Sequence, residues 1–465
     1  MIATGLGVIG AELALFAATG FLLFALDDLA VDLIFFARST WRTLVVYRRY
    51  PRAFADQLIP FHGNDTMAVL IPAWDEAAVI GPMLRHTLGA FDHPDYRLYV
   101  GHYRNDPATA AAIADIADRR VVAVPVAVDG PTTKADCLNH LYHAMDVDER
   151  LTGRRAVAVV LHDAEDVVHP LELRLFASLS RRAGLVQLPV TPLPDPDSRW
   201  ISGHYCDEFA ESHAKELVVR EAVGAAIPLA GVGCSIARGA LDALARAGDG
   251  SPFAAASQTE DYELGLRLGA IGYRTMFVRI PSAPGHRGVV TSRGHFPTHL
   301  DAAVRQKARW IGGIALAGWD RLGWRGGWGE RWFRMRDRRG PLAAVLLAAG
   351  YAALVIWLQF AVARGLGATL AFPVTPLLAG LLWINGWLLA WRVVMRALCT
   401  GAVYGVGEGL RSIPRLVVAN VVAMLAVRRA FAIHRRGGPT RWDKTAHVFP
   451  SDLSASDLSR PAAAQ

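Results

Sequence analysis

Residues 162–166 read His-Asp-Ala-Glu-Asp and directly follow the apolar run 155–161, whose composition is that of a buried strand. Three carboxylates within four residues of a strand end are costly unless they emerge into solvent or converge on positive charge. In open α/β sheets the carboxyl ends of central strands face the ligand crevice. There Asp163 and Glu165, two residues apart, can both reach one Mg2+ or Mn2+ ion, each of which prefers oxygen ligands. An ion so held neutralises a diphosphate leaving group. The competing reading is a polar turn in which Asp166 caps the following helix, and these residues alone leave the two readings level.

Three further stretches carry side chains able to do chemistry. Residues 257–275 read first as an ordinary helix: Ser257 and Glu260 have capping-box spacing, and Gly269 or Gly272 closes it. A carboxylate at that helix start, Asp261 with Glu260 beside it, is also placed to accept a proton from a hydroxyl. In 305–310, Gln306, Arg309 and Trp310 share one helix face. Arginine pairs bidentately with a diphosphate and tryptophan stacks on a sugar ring. A basic amphipathic helix at a membrane surface is compatible with the same pattern, and Lys307 is expected to be free. Lys134 follows a Gly130-Pro131 turn; in a chain with four lysines in all, it hints at a need for a compact ammonium. By contrast, the Gly-x-Gly-x-x-Gly match at 5–10 lies in an apolar N-terminal helix with no strand before it. It therefore argues against a nicotinamide-dependent oxidoreductase.

These residues need an α/β scaffold, and the middle of the chain has its pattern. From residue 65 to 300, short apolar runs (67–73, 97–103, 121–126, 155–163 and 184–190) alternate with helical stretches. Hydrophobic residues make up 52% of the 465, and mean hydropathy is +0.25, with the excess concentrated at the two ends. Residues 2–26 carry one charge, Glu12, and are long enough to cross a bilayer; with no basic residue before Arg38 they read as a membrane helix rather than a signal peptide. Residues 341–363 and 370–391 are also long enough to span. Segment 397–427, interrupted by Glu408, Arg411 and Arg415 and broken by Pro414, reads as re-entrant or interfacial helices, giving three spans. Arg38, Arg42, Arg48 and Arg49 put the following domain on the cytoplasmic side by the positive-inside rule. The net charge of +7 is thus assigned to membrane lipids and not to nucleic acid. Four scattered cysteines imply neither a disulfide framework nor a zinc site.

The expected organisation is a transmembrane helix (1–36), an amphipathic linker (37–64), a catalytic domain (65–300) and interface helices (301–338). Two transmembrane helices (339–392), interfacial or re-entrant helices (393–436) and a tail (437–465) follow.

In order, residues 72–76 (Pro-Ala-Trp-Asp-Glu), Asp106, Lys134, 163–165 (Asp-Ala-Glu), 259–261 (Thr-Glu-Asp) and 306–310 (Gln-Lys-Ala-Arg-Trp) resemble the motifs of processive membrane glycosyltransferases of family 2, the class of cellulose and hyaluronan synthases. Asp75 replaces the asparagine of the first motif, and Glu165 the second aspartate of the metal motif. Stretches such as 47–52, 130–139, 162–176 and 441–450 are similar to the phage adsorption protein B branch of that class. The resemblance implies a cytoplasmic GT-A (Rossmann-like) domain combined with transmembrane and interfacial helices in a bacterial inner membrane. It further implies inverting polymerisation of a nucleotide-activated sugar, such as a UDP-N-acetylhexosamine, into a surface glycan that serves as a phage receptor. An export partner in the outer envelope would follow. Pro72, Glu76, Asp106, Lys134 and Asp163 would bind the nucleotide sugar, and Asp163 with Glu165 the metal. Asp261, with Glu260, would be catalytic. Gly233 and the Gln306, Arg309 and Trp310 face would hold acceptor and diphosphate, and Trp442, Lys444 and Thr445 would form a gating loop over the donor. Longer relatives carry a further C-terminal domain for cyclic di-GMP, for which no room follows in these 465 residues, and regulation by that nucleotide is left open. A single-addition transferase on a lipid-linked acceptor and an inactive membrane scaffold remain the alternatives.

Overall fold

The strand MAVLIP (β1, Met67–Pro72) is buried at every position, which is why its sequence is an unbroken apolar run and not an alternation. Successive side chains still diverge: Met67, Val69 and Ile71 enter one core and Ala68 and Leu70 the other, so the sheet is covered on both faces. The structure is a computed structural model that describes residues 2–58, 65–286, 288–369, 372–437 and 448–450.

Among the described residues eight further strands follow: β2 (Tyr96–Tyr103), β3 (Val121–Val126), β4 (Ala158–Leu161), β5 (Leu185–Gln187), β6 (Val190–Pro192), β7 (Cys234–Ala237), β8 (Thr275–Phe277) and β9 (Ser292–Gly294). Seven form one mixed sheet in the order β3-β2-β1-β4-β7-β5-β8, and β6 pairs with β9 in a two-stranded sheet. β1 and β4 are parallel neighbours, so residues 73–76 and 162–166 leave the same edge side by side. β7 is antiparallel, with Cys234 opposite Leu161, so the stretch 231–233 arrives at that edge too. The run 184–190, expected as one strand, is split. Leu188 N donates to Gly233 O at 2.9 Å, and the chain then changes partner from the main sheet to β9.

Among the described residues, four helices, within Thr4–Arg49, Gly340–Gly365, Pro376–Tyr404 and Val406–Arg436, are long and apolar enough to cross a membrane. Pro414 does not break the last of these, contrary to expectation: it sits inside a 31-residue helix. The turn around it has side-chain partners for its carbonyls, with Ser412 Oγ donating to Gly409 O (2.6 Å) and Arg415 Nη2 to Glu408 O (2.9 Å). One flank of this helix packs against Tyr205 of the α/β domain and against the helix Leu300–Ile311: Val418 and Val422 meet Tyr205 and Ala303, and Ala426 and Ala430 meet Ala308.

A belt of ion pairs joins the long helices to the α/β domain. On the N-terminal helix, Asp27 and Asp28 are bracketed by Arg336 and Arg339, Arg392 adds a pair to Asp28, and Trp332 Nε1 donates to Asp27 at 2.6 Å. Asp32 pairs with Lys215 at 2.5 Å and accepts from Trp391 Nε1 at 2.8 Å. Arg415 reaches Asp207 at 3.0 Å. Charges taken this far out of water persist only when paired.

Candidate active site

The carboxyl edge of the sheet, the start of the helix Glu260–Ala270 and the helix Leu300–Ile311 enclose a cavity of about 240 Å³. Lys134, Asp163, Glu165, Glu260 and Asp261 line one part of it, and Gln306, Arg309 and Trp310 another. Eight residues from four separate sequence stretches thus converge.

The 162–166 stretch divides its carboxylates between two jobs. His162 is fully buried; its Nδ1 lies 2.8 Å from Asp166 Oδ2 and its Nε2 2.6 Å from Glu172 Oε1. Burial opposes protonation of this imidazole, but Glu172 and Asp166 outweigh it and raise its pKa to about 10. Asp166 Oδ2 also accepts from Asp163 N at 3.0 Å, so the inward-facing ion cluster fixes the backbone from which Asp163 projects. Asp166 does not cap the next helix: Glu172–Leu179 begins at Leu171 without a side-chain cap.

Lys134 opens the helix Lys134–Thr152, capped by Thr133 Oγ1 accepting from Asp136 N. Its ammonium pairs with Asp163 and lies 4.0 Å from Glu260. Burial disfavours the charge, but Asp163, Glu260 and Asp261 more than offset this and raise the pKa. Glu260 is pushed up to about 7 by burial and by Asp261, against the pull of Lys134; Asp261 is likewise raised, chiefly by burial. The Ser257–Glu260 capping box is not formed. Thr259 is the cap residue, while Ser257 Oγ donates to Glu263 Oε1 at 2.7 Å, because Glu260 turns towards Lys134 instead.

On the opposite wall, Trp310 meets the Tyr205 ring edge-on at 6.1 Å. Gln306 Oε1 and Arg309 Nε are buried and have no hydrogen-bond partner among the described residues. Lys307 is not free as expected: it pairs with Glu208 and lies 5.1 Å above the Tyr205 ring. Gly233 is displaced from its expected role, since a Cβ there would point at Ser292, 2.7 Å away. Gly231 (φ +80°) is the glycine beside Asp261, where a Cβ would come within 2.7 Å of its Oδ2.

Pro72, Glu76 and Asp106 do not line this cavity. Asp106 caps the helix Pro107–Ala114 through Thr109 N and accepts from Asp75 N at 2.6 Å, tying the loop after β1 to the loop after β2. Trp442, Lys444 and Thr445 lie outside the described residues. Beyond them Val448 borders the cavity, and Phe449 packs against Val167 and Leu193, with its ring 5.9 Å from that of His86.

Sequence reasoning missed Phe209, His295 and Phe296, which also line the cavity. His295 and Phe296 follow β9, a strand of three residues too short to show periodicity. Burial lowers the His295 pKa, so its imidazole is neutral near pH 7, and its Nδ1 has no partner among the described residues.

Residues 64–313 match the family described as "Glycosyltransferase like family 2". Bacteriophage adsorption protein B of Escherichia coli (strain K12) is 35% identical over 463 residues, covering 94% of this chain and 62% of that protein. Bacteriophage N4 adsorption protein B of E. coli O157:H7 matches with the same figures, so the chain spans 62% of the length of both relatives. Among solved structures, a mannosyltransferase from Pyrobaculum calidifontis in complex with GDP-Man and Mn2+ is 16% identical. The match covers 86% of this chain and 99% of that one, with a TM-score of 0.49.

Proposed function

Because the chain belongs to glycosyltransferase-like family 2, we propose that its cavity transfers a sugar from a nucleotide donor to a glycan hydroxyl with inversion. The observation that carries this is the convergence of Lys134, Asp163, Glu165, Glu260 and Asp261 on one cavity with Gln306, Arg309 and Trp310. In the reaction, an acceptor hydroxyl attacks the anomeric carbon, its proton passes to Asp261, and the bond from that carbon to the diphosphate oxygen breaks. The raised pKa of Asp261 suits a base that must hold that proton. Arg309, with a buried donor unused, meets the negative charge of the departing diphosphate, and Trp310 and Phe296 offer faces for sugar rings.

The donor set fits a divalent metal only in part. No three His, Cys, Asp or Glu side chains among the described residues form a ready-made site. Asp163 and Glu165 offer the oxygen ligands that Mg2+ or Mn2+ prefers, His295 offers a neutral imidazole, and diphosphate oxygens would complete the set. Bound there, the ion would neutralise charge on the leaving diphosphate. Lys134 pairs with Asp163 and supplies positive charge beside this carboxylate.

The similarity to the adsorption proteins supports placing the chain in a bacterial inner membrane with its catalytic domain in the cytoplasm. It also supports a polymeric surface glycan built from an N-acetylhexosamine donor. Membrane vesicles containing the protein, given a panel of nucleotide sugars, should release nucleotide from one donor and build chains of many units. Transfer of a single unit would replace polymerisation with single addition, and release from no donor would remove the transferase reading.

A further inference from the structure

The helix that carries Gln306, Arg309 and Trp310 does not stop at Ile311. It continues as a π-helical turn, Gly312–Ala317, and then as Gly318–Leu322. A π turn inside a longer helix shifts the register of its side chains, and such turns recur at functional sites. Here the shift presses two glycines against residues 258–259. A Cβ on Gly313 would meet Thr259 at both Oγ1 and Cγ2, the latter at 2.6 Å, with Thr259 Cβ at 3.0 Å behind them. A Cβ on Gly312 would meet only the end of the Gln258 side chain, at 3.2 Å. Gly313 is helical, so its need for glycine is one of space and not of φ.

Thr259 matters because it is the cap residue of the helix whose first two residues are Glu260 and Asp261. It is buried, and its backbone N donates to Ser257 Oγ at 3.2 Å. The same loop and the helix after it are gripped again about two turns later: Arg321 donates to Ala256 O at 3.1 Å and pairs with Glu263 at 2.5 Å. The helix bearing the diphosphate-facing arginine and the helix bearing the base therefore touch at an unyielding point just behind both.

We infer that Gly313 and Thr259 form a steric interlock that sets the position of Asp261 relative to Arg309 and Trp310, making Gly313 a positioning residue for sugar transfer. This rests on the transferase reading above. A methyl group at 313 would displace Thr259 by on the order of 1 Å, and a misplacement of that size costs roughly a hundredfold in rate. The donor, held mainly by groups at the strand ends, is bound before the misplacement is felt. The expected signature is a fall in kcat with little change in donor KM.

The test uses the full-length protein in lipid vesicles, with initial rates measured over a range of donor concentrations. Gly313→Ala should lower kcat by about 10- to 100-fold while donor KM stays within about threefold. Adding Thr259→Ala, which removes the two nearest atoms, should raise kcat at least fivefold above Gly313→Ala alone. Gly312→Ala should stay within about threefold of wild type. Should Gly313→Ala fail to insert, Thr259→Ser, which loosens the contact without a clash, should still lower kcat about threefold at unchanged KM. Wild-type kcat in Gly313→Ala, no gain in the double variant, or wild-type kcat in Thr259→Ser would overturn the interlock while leaving the transferase reading intact. A wild-type protein inactive with every donor would overturn both.

Discussion

Two regions of this molecule concentrate charge away from water, and they treat it differently. In the belt, Asp27, Asp28 and Asp32 each have at least two cationic or N–H partners, drawn from the helices Trp328–Arg338 and Pro376–Tyr404, from Lys215 and from Arg339. In the cavity, Asp163, Glu165, Glu260 and Asp261 share the lining with Lys134 and Arg309, while Gln306 Oε1, Arg309 Nε and His295 Nδ1 have no hydrogen-bond partner among the described residues. The multiply paired aspartates of the belt fix one arrangement, whereas the unpaired groups of the cavity border open space that a ligand can enter. The belt holds the molecule together, and the cavity is built to receive.

That contrast can be broken most severely at Asp261. Asp261→Asn should reduce transfer by about 10²–10⁴-fold without lowering the unfolding temperature, since it removes a proton acceptor and a destabilising charge but no bulk. Near-normal turnover would remove Asp261 from the role of base. Asp27→Asn should do the reverse. Leaving Arg336 and Arg339 short of a partner should cost about 3 kcal/mol, roughly a hundredfold in the folding equilibrium, with activity per folded molecule within about twofold. Chemical denaturation in detergent measures the first quantity and transfer assays the second; a stable but inactive Asp27→Asn would merge the two regions into one.

Metal binding sharpens the comparison further. Mn2+ titration should show donor-enhanced binding that Asp163→Ala weakens at least tenfold and Asp27→Asn leaves unchanged; equal binding in all three would exclude the acidic pair as ligands. The smallest effect is expected with pH. Burial raises Glu260 to about 7 and raises Asp261 as well, and a base must be unprotonated to act. Because the base's proton affinity is raised, transfer should fall on the acidic side, by up to tenfold per unit once Asp261 is mostly protonated. Removing the neighbouring negative charge with Glu260→Gln favours the ionised form of Asp261, so the acidic limb should move to lower pH. An unmoved limb would separate the two carboxylates.

The sheet was legible wherever a strand was long and buried: 67–72, 96–103 and 121–126 announce themselves as apolar runs. β8 and β9, three residues each, carry no periodicity, and with β9 went His295 and Phe296. The acidic and Gln-x-x-Arg-Trp stretches were legible because unlike residue types recur there at fixed spacing. What spacing could not show was which atoms turn inward. Asp166 looked like a helix cap and is the counter-ion of His162; Lys307 looked free and is held by Glu208; Gly231, not Gly233, borders Asp261. The belt also escaped notice, because partners such as Asp27 and Arg336, about three hundred positions apart, share no local pattern.

The claim that the open cavity is where the donor binds is tested most directly by photolabelling. A nucleotide sugar carrying a diazirine on its sugar ring, irradiated with the protein in lipid vesicles, should label peptides containing residues 163–165, 259–261 and 295–310. Unlabelled donor should compete the labelling away, and the belt peptides around Asp27 and Arg336 should stay unlabelled. Competable labelling confined to peptides outside the cavity would contradict the account.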